Sequence, residues 1–158
     1  MRRGFEEGTN MNMNASPELR VTTDKDELDL ERIHELLKSA YWSKNIPLEI
    51  VERAFANSFA FGLLHEGKQI GFGRFVTDYA TFAYLADVFI EEPYRGRGYA
   101  RLLIDTVLAH PDIRGLRRIL LATADAHGVY APCGFEPLAK PRNFMEINRP
   151  DIYLRSDA

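Results

Sequence analysis

Residues Tyr84 to Ile104 read YLADVFIEEPYRGRGYARLLI, and the order of residue types in this stretch decides the fold. The apolar run Tyr84–Ile90 is broken by a single charge, Asp87; Glu91, Glu92 and Pro93 end it, Arg95-Gly96-Arg97-Gly98 follow, and an amphipathic segment begins near Tyr99. A strand, a glycine-rich turn and a helix start, in that order, aim backbone N–H groups and the positive end of a helix dipole at an anion. Gly96 and Gly98 carry no Cβ to hold the main chain away from a bulky pyrophosphate, and positive φ is cheap for them. Arg95, Arg97 and Arg101 add guanidinium forks suited to phosphate oxygens. A solvated helix end after an ordinary turn is the alternative reading of the same residues.

Outward from this stretch, the pattern predicts an α/β domain. Leu19, Val21 and Thr23 alternate with polar residues as a short strand does, and Leu28, Ile33, Leu36, Leu37 and Ala40 recur at helical spacing after a run of carboxylates. Tyr41 to Asn45 interrupt that period, and Pro47 restarts a helix with Ile50, Val51, Ala54 and Phe55 on its buried stripe. Phe59–His65 and Gln69–Thr77 read as an antiparallel hairpin around Glu66, Gly67 and Lys68. Thr81–Ile90 is a third consecutive strand, and its nearly continuous apolar run predicts burial on both faces. Leu102 to Leu108 form a helix ending before Pro111, and Arg117–Ala122 is a further strand that a right-handed crossover places parallel to Thr81–Ile90. Asp125–Ala131 has room for a short helix, and Phe135–Leu138 and Phe144–Ile147 are candidate terminal strands. Residues 1–17 are poor in apolar side chains and read as a disordered tail, leaving 18–158 as one domain.

Composition narrows the function. The 158 residues are 46% hydrophobic and 11% aromatic, enough for one sizeable core, and the net charge of -3 argues against a general nucleic-acid surface. The single cysteine, Cys133, cannot form an intramolecular disulfide, and neither a zinc site nor any other metal is expected. No apolar run approaches the span of a membrane helix and no signal peptide is apparent, so a cytoplasmic location is expected, with no membrane partner.

Two nucleotide patterns fail in the turn. A triphosphate loop requires Lys and Ser or Thr after its last glycine, where Gly98 is followed by Tyr99 and Ala100. A dinucleotide fingerprint places Gly or Ala where this chain has Arg101. Arg95-Gly96-Arg97-Gly98-Tyr99-Ala100 instead fits Arg or Gln, two residues of any type, Gly, any residue, then Gly or Ala. In this the sequence resembles the GCN5-related N-acetyltransferase (GNAT) family. Thr123 to Tyr130, closing with Gly134-Phe135, resembles the family's later motif, a tyrosine in a short helix ahead of a Gly-Phe pair, and the similarity runs from about Leu19 to Ile147. Thr123 stands where the family often carries Asn, and Pro132 shortens the helix that bears Tyr130.

The resemblance implies an acyl-CoA N-acyltransferase fold: a central, mixed, mostly antiparallel sheet flanked by helices, with two parallel strands splayed apart to admit acetyl-CoA as cosubstrate. It implies that Val88, Phe89 and Ile90 pair through their backbone with the pantetheine arm, with Thr123 beside it. Arg95, Gly96, Arg97, Gly98, Tyr99, Ala100 and Arg101 would hold the pyrophosphate. The implied reaction is acetyl transfer to a primary amine by direct attack in a ternary complex. Tyr130 is the candidate proton donor to the leaving thiolate, because a phenol near about 10 suits a thiolate near about 8.5; a core tyrosine capping a carbonyl is the alternative. A backbone N–H near Val88 or Phe89 would hold the oxyanion. Asp87 is the candidate for drawing the amine's proton through water, or else a structural carboxylate paired with Arg74. His127, one turn before Tyr130, and the loop aromatics Tyr41 and Trp42 are candidate acceptor-side residues. The acceptor is a small-molecule or peptide amine, with a homodimer among the possible assemblies. A non-catalytic acyl-CoA-binding module and an aminoacyl-tRNA acetylating toxin are the other readings, the latter disfavoured by the acidic balance.

Overall fold

Leu19–Thr22 (β1), Leu30–Leu37 (α1), Leu48–Ala56 (α2), Phe59–His65 (β2), Lys68–Thr77 (β3), Phe82–Ile90 (β4), Tyr99–Leu108 (α3), Arg118–Leu121 (β5) and His127–Tyr130 (α4) follow one another along the chain. They are seen in a computed structural model that describes residues 18–154. The expected tail over residues 1–17 lies outside the described residues.

Local chemistry places each boundary. The Asp29 side chain accepts from the Arg32 N–H at 3.0 Å and caps α1, so the helix starts after the acidic cluster and not within it. Glu66 and Gly67 both have positive φ, 53° and 81°, which makes the hairpin a two-residue turn with His65 paired to Lys68. Such turns match the right-handed twist of the flanking strands. At the next turn the Asp78 carboxylate accepts from the Ala80, Thr81 and Phe82 N–H groups and from the Thr81 hydroxyl. These bonds, chiefly those from Thr81, hold it well below the usual carboxylate range. Thr81 is thereby committed to the turn, and β4 starts one residue later than its sequence suggests.

The strands lie in the order β1-β2-β3-β4-β5, antiparallel throughout except for the parallel pair β4–β5. This is the expected mixed, mostly antiparallel sheet. One core packs Phe61, Phe75, Leu85, Leu103, Ile104 and Val107 between the sheet and α3. The other packs Ile33, Leu37, Val51, Phe55 and Phe72 between the opposite face and α1 and α2. Burial of β4 on both faces, expected from its apolar run, is not what forms. Ala83 and Leu85 are buried toward α3, whereas Tyr84 and Ala86 on the other face are only partly covered. The second core gathers Ala60 and Phe72 of β2 and β3 beneath α1 and α2, leaving this part of β4 as an open floor.

The two terminal strands expected at Phe135–Leu138 and Phe144–Ile147 do not form either; that segment is irregular, with one short turn at Pro141–Asn143. Pro137, Pro141 and Pro150 each remove a backbone donor, which a ladder cannot spare.

A bulge interrupts the β3–β4 ladder. Phe72 pairs with Phe89 and Arg74 with Ala86, so Gly73 alone faces both Asp87 and Val88, and Asp87 takes a left-handed φ of 59°. A Cβ on Gly73 would lie 2.6 Å from the fully buried Phe61 ring and 3.2 Å from Val88. Gly73→Ala is therefore expected to cost about 1–3 kcal/mol by overpacking. In thermal unfolding this reads as a fall of about 3–10 °C in Tm; an unchanged Tm would show that the bulge has room to spare.

Candidate functional site

The parallel pairing of β4 with β5 stops at Leu85 and Leu121. From Ala86 to Ile90 no β5 residue pairs with β4, although β3 still pairs along its other edge. The sheet is thus splayed where the bulge turns β4, and one edge of the Val88–Ile90 backbone is open to an extended, amide-bearing ligand. The bulge creates this opening by raising the local twist of β4.

The glycine-rich turn follows at the end of the open edge. Glu91 accepts two hydrogen bonds of 2.7 Å from the Arg32 guanidinium of α1, and its N–H donates to the Ile70 carbonyl. The Arg32 bonds hold the Glu91 carboxyl below its ordinary range. After the Glu92–Tyr94 turn, Arg95 reaches back: its Nε donates to the Ile90 carbonyl at 2.7 Å and its guanidinium sits 5.1 Å from the Phe89 ring centroid. Arg95 therefore fastens the loop to β4, and any phosphate contact falls to its remaining N–H groups. Gly96 and Gly98 have φ of 78° and 80°, with open space where a Cβ would project. Gly98 is the N-cap of α3, and no side chain caps the first turn. The N–H groups from Gly98 to Arg101 lack intrahelical partners and face outward as a ready anion cradle. The exposed Arg97 lies over Tyr94, and the exposed Arg101 pairs with Asp105 at 3.4 Å. Tyr99 and Ala100 pack their side chains on the core, which leaves their backbone to the cradle.

Tyr130 closes α4 on the β5 side of the splay. Its ring meets Phe135 edge-on at 6.0 Å, and its hydroxyl has no hydrogen-bond partner among the described residues, so it is not the carbonyl cap of the alternative reading. Burial, helped by the nearby Cys133 thiol and Tyr41 phenol, pushes Tyr130 up to about 12. Cys133, raised to about 11 chiefly by burial, is no thiolate nucleophile at neutral pH. The Thr123 hydroxyl accepts from the Ala126 N–H at 3.0 Å and shapes the turn into α4, while His127 is exposed at its start.

On the other face, Asp87 bridges two elements. One carboxylate oxygen accepts from Arg74 Nε at 2.7 Å and the other from Trp42 Nε1 at 2.9 Å. Arg74 also donates to the Ser58 hydroxyl and lies over the Phe55 ring. The pairing with Arg74 raised from sequence is present, and Trp42 is a partner that the sequence did not reveal. Trp42 remains 45% exposed and Tyr41 66%, in edge-to-face contact at 5.0 Å, so neither forms a closed plug over the sheet. Sequence reading also missed the Arg32–Glu91 clamp and the bulge. The glycine pair Gly71 and Gly73 within a strand was the available signal for the latter.

The model of the Acetyltransferase (GNAT) family matches residues 30–135. A crystal structure of a GNAT-family protein from Xanthomonas campestris pv. campestris is 48% identical, with 88% of this chain and 99% of that chain covered and a TM-score of 0.83. A curated relative from Gibberella zeae, named as a candidate acetyltransferase, is 29% identical over 128 residues, 66% of this chain and 71% of its own length. A Clostridium acetobutylicum protein crystallised with acetyl-CoA shares the fold at 19% identity and a TM-score of 0.60, with 82% and 94% of the two chains covered.

Proposed function

This chain belongs to the GNAT family of acetyltransferases, whose members use acetyl-CoA, and from that premise we propose that it moves the acetyl group of acetyl-CoA to a primary amine by direct attack in a ternary complex. The observation that carries the reading is the splay: the unpaired backbone edge of Val88–Ile90 leads directly into the uncapped amides from Gly98 to Arg101. A ligand with an amide-bearing arm and a pyrophosphate matches that sequence of donors and acceptors. Residues 18–158 act as one acetyltransferase domain, cytoplasmic in location.

In the proposed reaction acetyl-CoA supplies a thioester carbonyl. A backbone N–H beside Val88 or Phe89 stabilises the oxyanion as the new N–C bond forms. The C–S bond then breaks, Tyr130 donates a hydrogen bond or its proton to the departing thiolate, and the amine's extra proton leaves to water. Asp87 holds Trp42 and Arg74 at the mouth of the splay, and its remaining lone pairs are offered to the incoming amine, directly or through water. Tyr41 and Trp42 border the acceptor side, with His127 at its rim. A small-molecule or peptide amine fits this exposed aromatic edge.

Saturating acetyl-CoA is expected to raise Tm by roughly 5–10 °C at about a hundred times its dissociation constant. Absence of any shift would remove the cofactor assignment. Free thiol release across a panel of amines then tests the chemistry; a thermal shift without release from any amine would favour a non-catalytic binding module.

A further inference from the structure

Arg74 lies over the Phe55 ring of the second core and bonds Asp87, which places both on the sheet face that α1 and α2 cover. That cover is incomplete. The pairing register sets Val76, Tyr84 and Leu120 in one row across β3, β4 and β5 on this face, since Phe75, Leu85 and Leu121 in the adjacent row point into the first core. Phe82 lies one row farther out, paired with Arg118, and Ala86 one row nearer the splay, paired with Arg74. Val76 is 44% exposed and Phe82 37%, Tyr84 and Leu120 are half-buried, and none of the four belongs to either core. The sheet thus offers water an apolar strip that begins at Phe82 and ends at Asp87, where the exposed Trp42 indole stands. An apolar strip rimmed by polar groups marks a binding surface.

We propose that this strip seats the body of the acceptor, and that the acceptor is a primary monoamine bearing a flat apolar group, an aromatic ring above all, a short linker away from its nitrogen. The proposal rests on the acetyl-transfer reading above and names the substrate class for it. Position argues for it first: the strip is continuous with the splay, so a nitrogen beside Asp87 puts the rest of the molecule over Ala86, Tyr84 and Val76. Alternate residues of a strand are about 6.6 Å apart, within the length of a two-carbon linker and a ring. Charge argues for it second. The Asp87 carboxylate is already matched by Arg74 at 2.7 Å, the row Val76, Tyr84 and Leu120 is uncharged, and Arg118 stands at the far end. A second cationic centre would therefore meet no free carboxylate along the strip and would approach an arginine, which makes polyamines and basic peptides poor fits. A flat apolar body instead covers Val76 and Tyr84 and meets the Trp42 ring. Bond changes are those already given: the N–C bond forms, the C–S bond breaks, the thiolate takes its proton from Tyr130 and the amine's extra proton leaves to water.

Thiol release by the full chain with saturating acetyl-CoA is compared for 2-phenylethylamine, ethanolamine, spermidine and a lysine-bearing basic peptide. Ethanolamine has the same two-carbon primary amine and is no stronger a base, so it isolates the ring. The expected result is a kcat/KM for 2-phenylethylamine at least about tenfold above each of the others, as burial of a ring implies. Val76→Glu is expected to remove most of that preference by raising the KM for 2-phenylethylamine about tenfold, with the thermal shift by acetyl-CoA unchanged, because Val76 is exposed and lies away from the cofactor turn. Preference for spermidine, the peptide or ethanolamine would overturn the acceptor class and leave acetyl transfer standing, and so would an aryl preference that Val76→Glu leaves intact. Release from none of the amines would count against the reaction itself. Isothermal titration of 2-phenylethylamine into the protein saturated with coenzyme A reads the strip without turnover, and no binding there would overturn the proposal as well.

Discussion

Tyr130→Phe is expected to lower kcat for acetyl transfer by about 10²-fold while leaving the Michaelis constant for acetyl-CoA within about threefold, the signature of an interaction made mainly in the transition state. Phenylalanine retains the ring that meets Phe135 and removes only a hydroxyl without a hydrogen-bond partner among the described residues, so folding and Tm should be preserved. Burial sets the size of the effect. A phenol near 10 would pass its proton to a thiolate at modest cost, but Tyr130 is pushed up to about 12. Transfer to a thiolate near about 8.5 is then uphill by roughly 5 kcal/mol. The hydroxyl accordingly acts chiefly by hydrogen-bonding the departing sulfur, with the proton following as the bond breaks, which places the loss at the low end of the general-acid range. The sign of the pH dependence follows. The protonated phenol is the useful form, and it is lost only as pH rises through about 12, so Tyr130 imposes no alkaline fall in kcat between pH 7 and 10. Turnover of the phenylalanine variant within threefold of the parent would remove Tyr130 from the mechanism.

Gly98→Val is expected to raise the Kd for acetyl-CoA at least about 100-fold and to abolish its thermal shift. Two effects combine. Gly98 has φ 80° and ψ 12° at the N-cap of α3, a left-handed conformation that costs a β-branched residue about 1–2 kcal/mol or more. The valine methyls would also project into the open space in front of the uncapped amides, where the proposed pyrophosphate lies. Isothermal titration with acetyl-CoA separates this from general destabilisation, because Gly98→Ala imposes the backbone strain with less bulk and should fall between parent and valine. Equal affinity in all three proteins would show that the anion binds elsewhere. The Arg32–Glu91 clamp makes such local strain consequential, since the loop is tied to α1 at one end and to α3 at the other and cannot move away.

What could be read from the residues in order was whatever depends on neighbours in the chain. Runs rich in aromatic and branched residues on either side of Glu66-Gly67-Lys68 pointed to the hairpin strands; Gly96 and Gly98 after an apolar run pointed to the strand, turn and helix; and the second motif around Tyr130 added to the family resemblance. The terminal strands failed because periodicity cannot count the donors removed by Pro137 and Pro141, nor say what edge is within reach. Burial of β4 failed for a related reason: an apolar run records what a strand tolerates, whereas coverage depends on where α1 and α2 come to rest.

The sequence by itself determined the fold class, the glycine-rich turn between strand and helix, and the candidate tyrosine, because each is written in residue type at fixed spacing. Only the tertiary structure decided how those parts act together. Opposing one glycine of β3 to two residues of β4 opens the splay. Folding Trp42 and Arg74 onto Asp87 gives each of its oxygens one donor, and burying Tyr130 makes its phenol a weaker acid. Each is set by packing and desolvation that no local pattern contains.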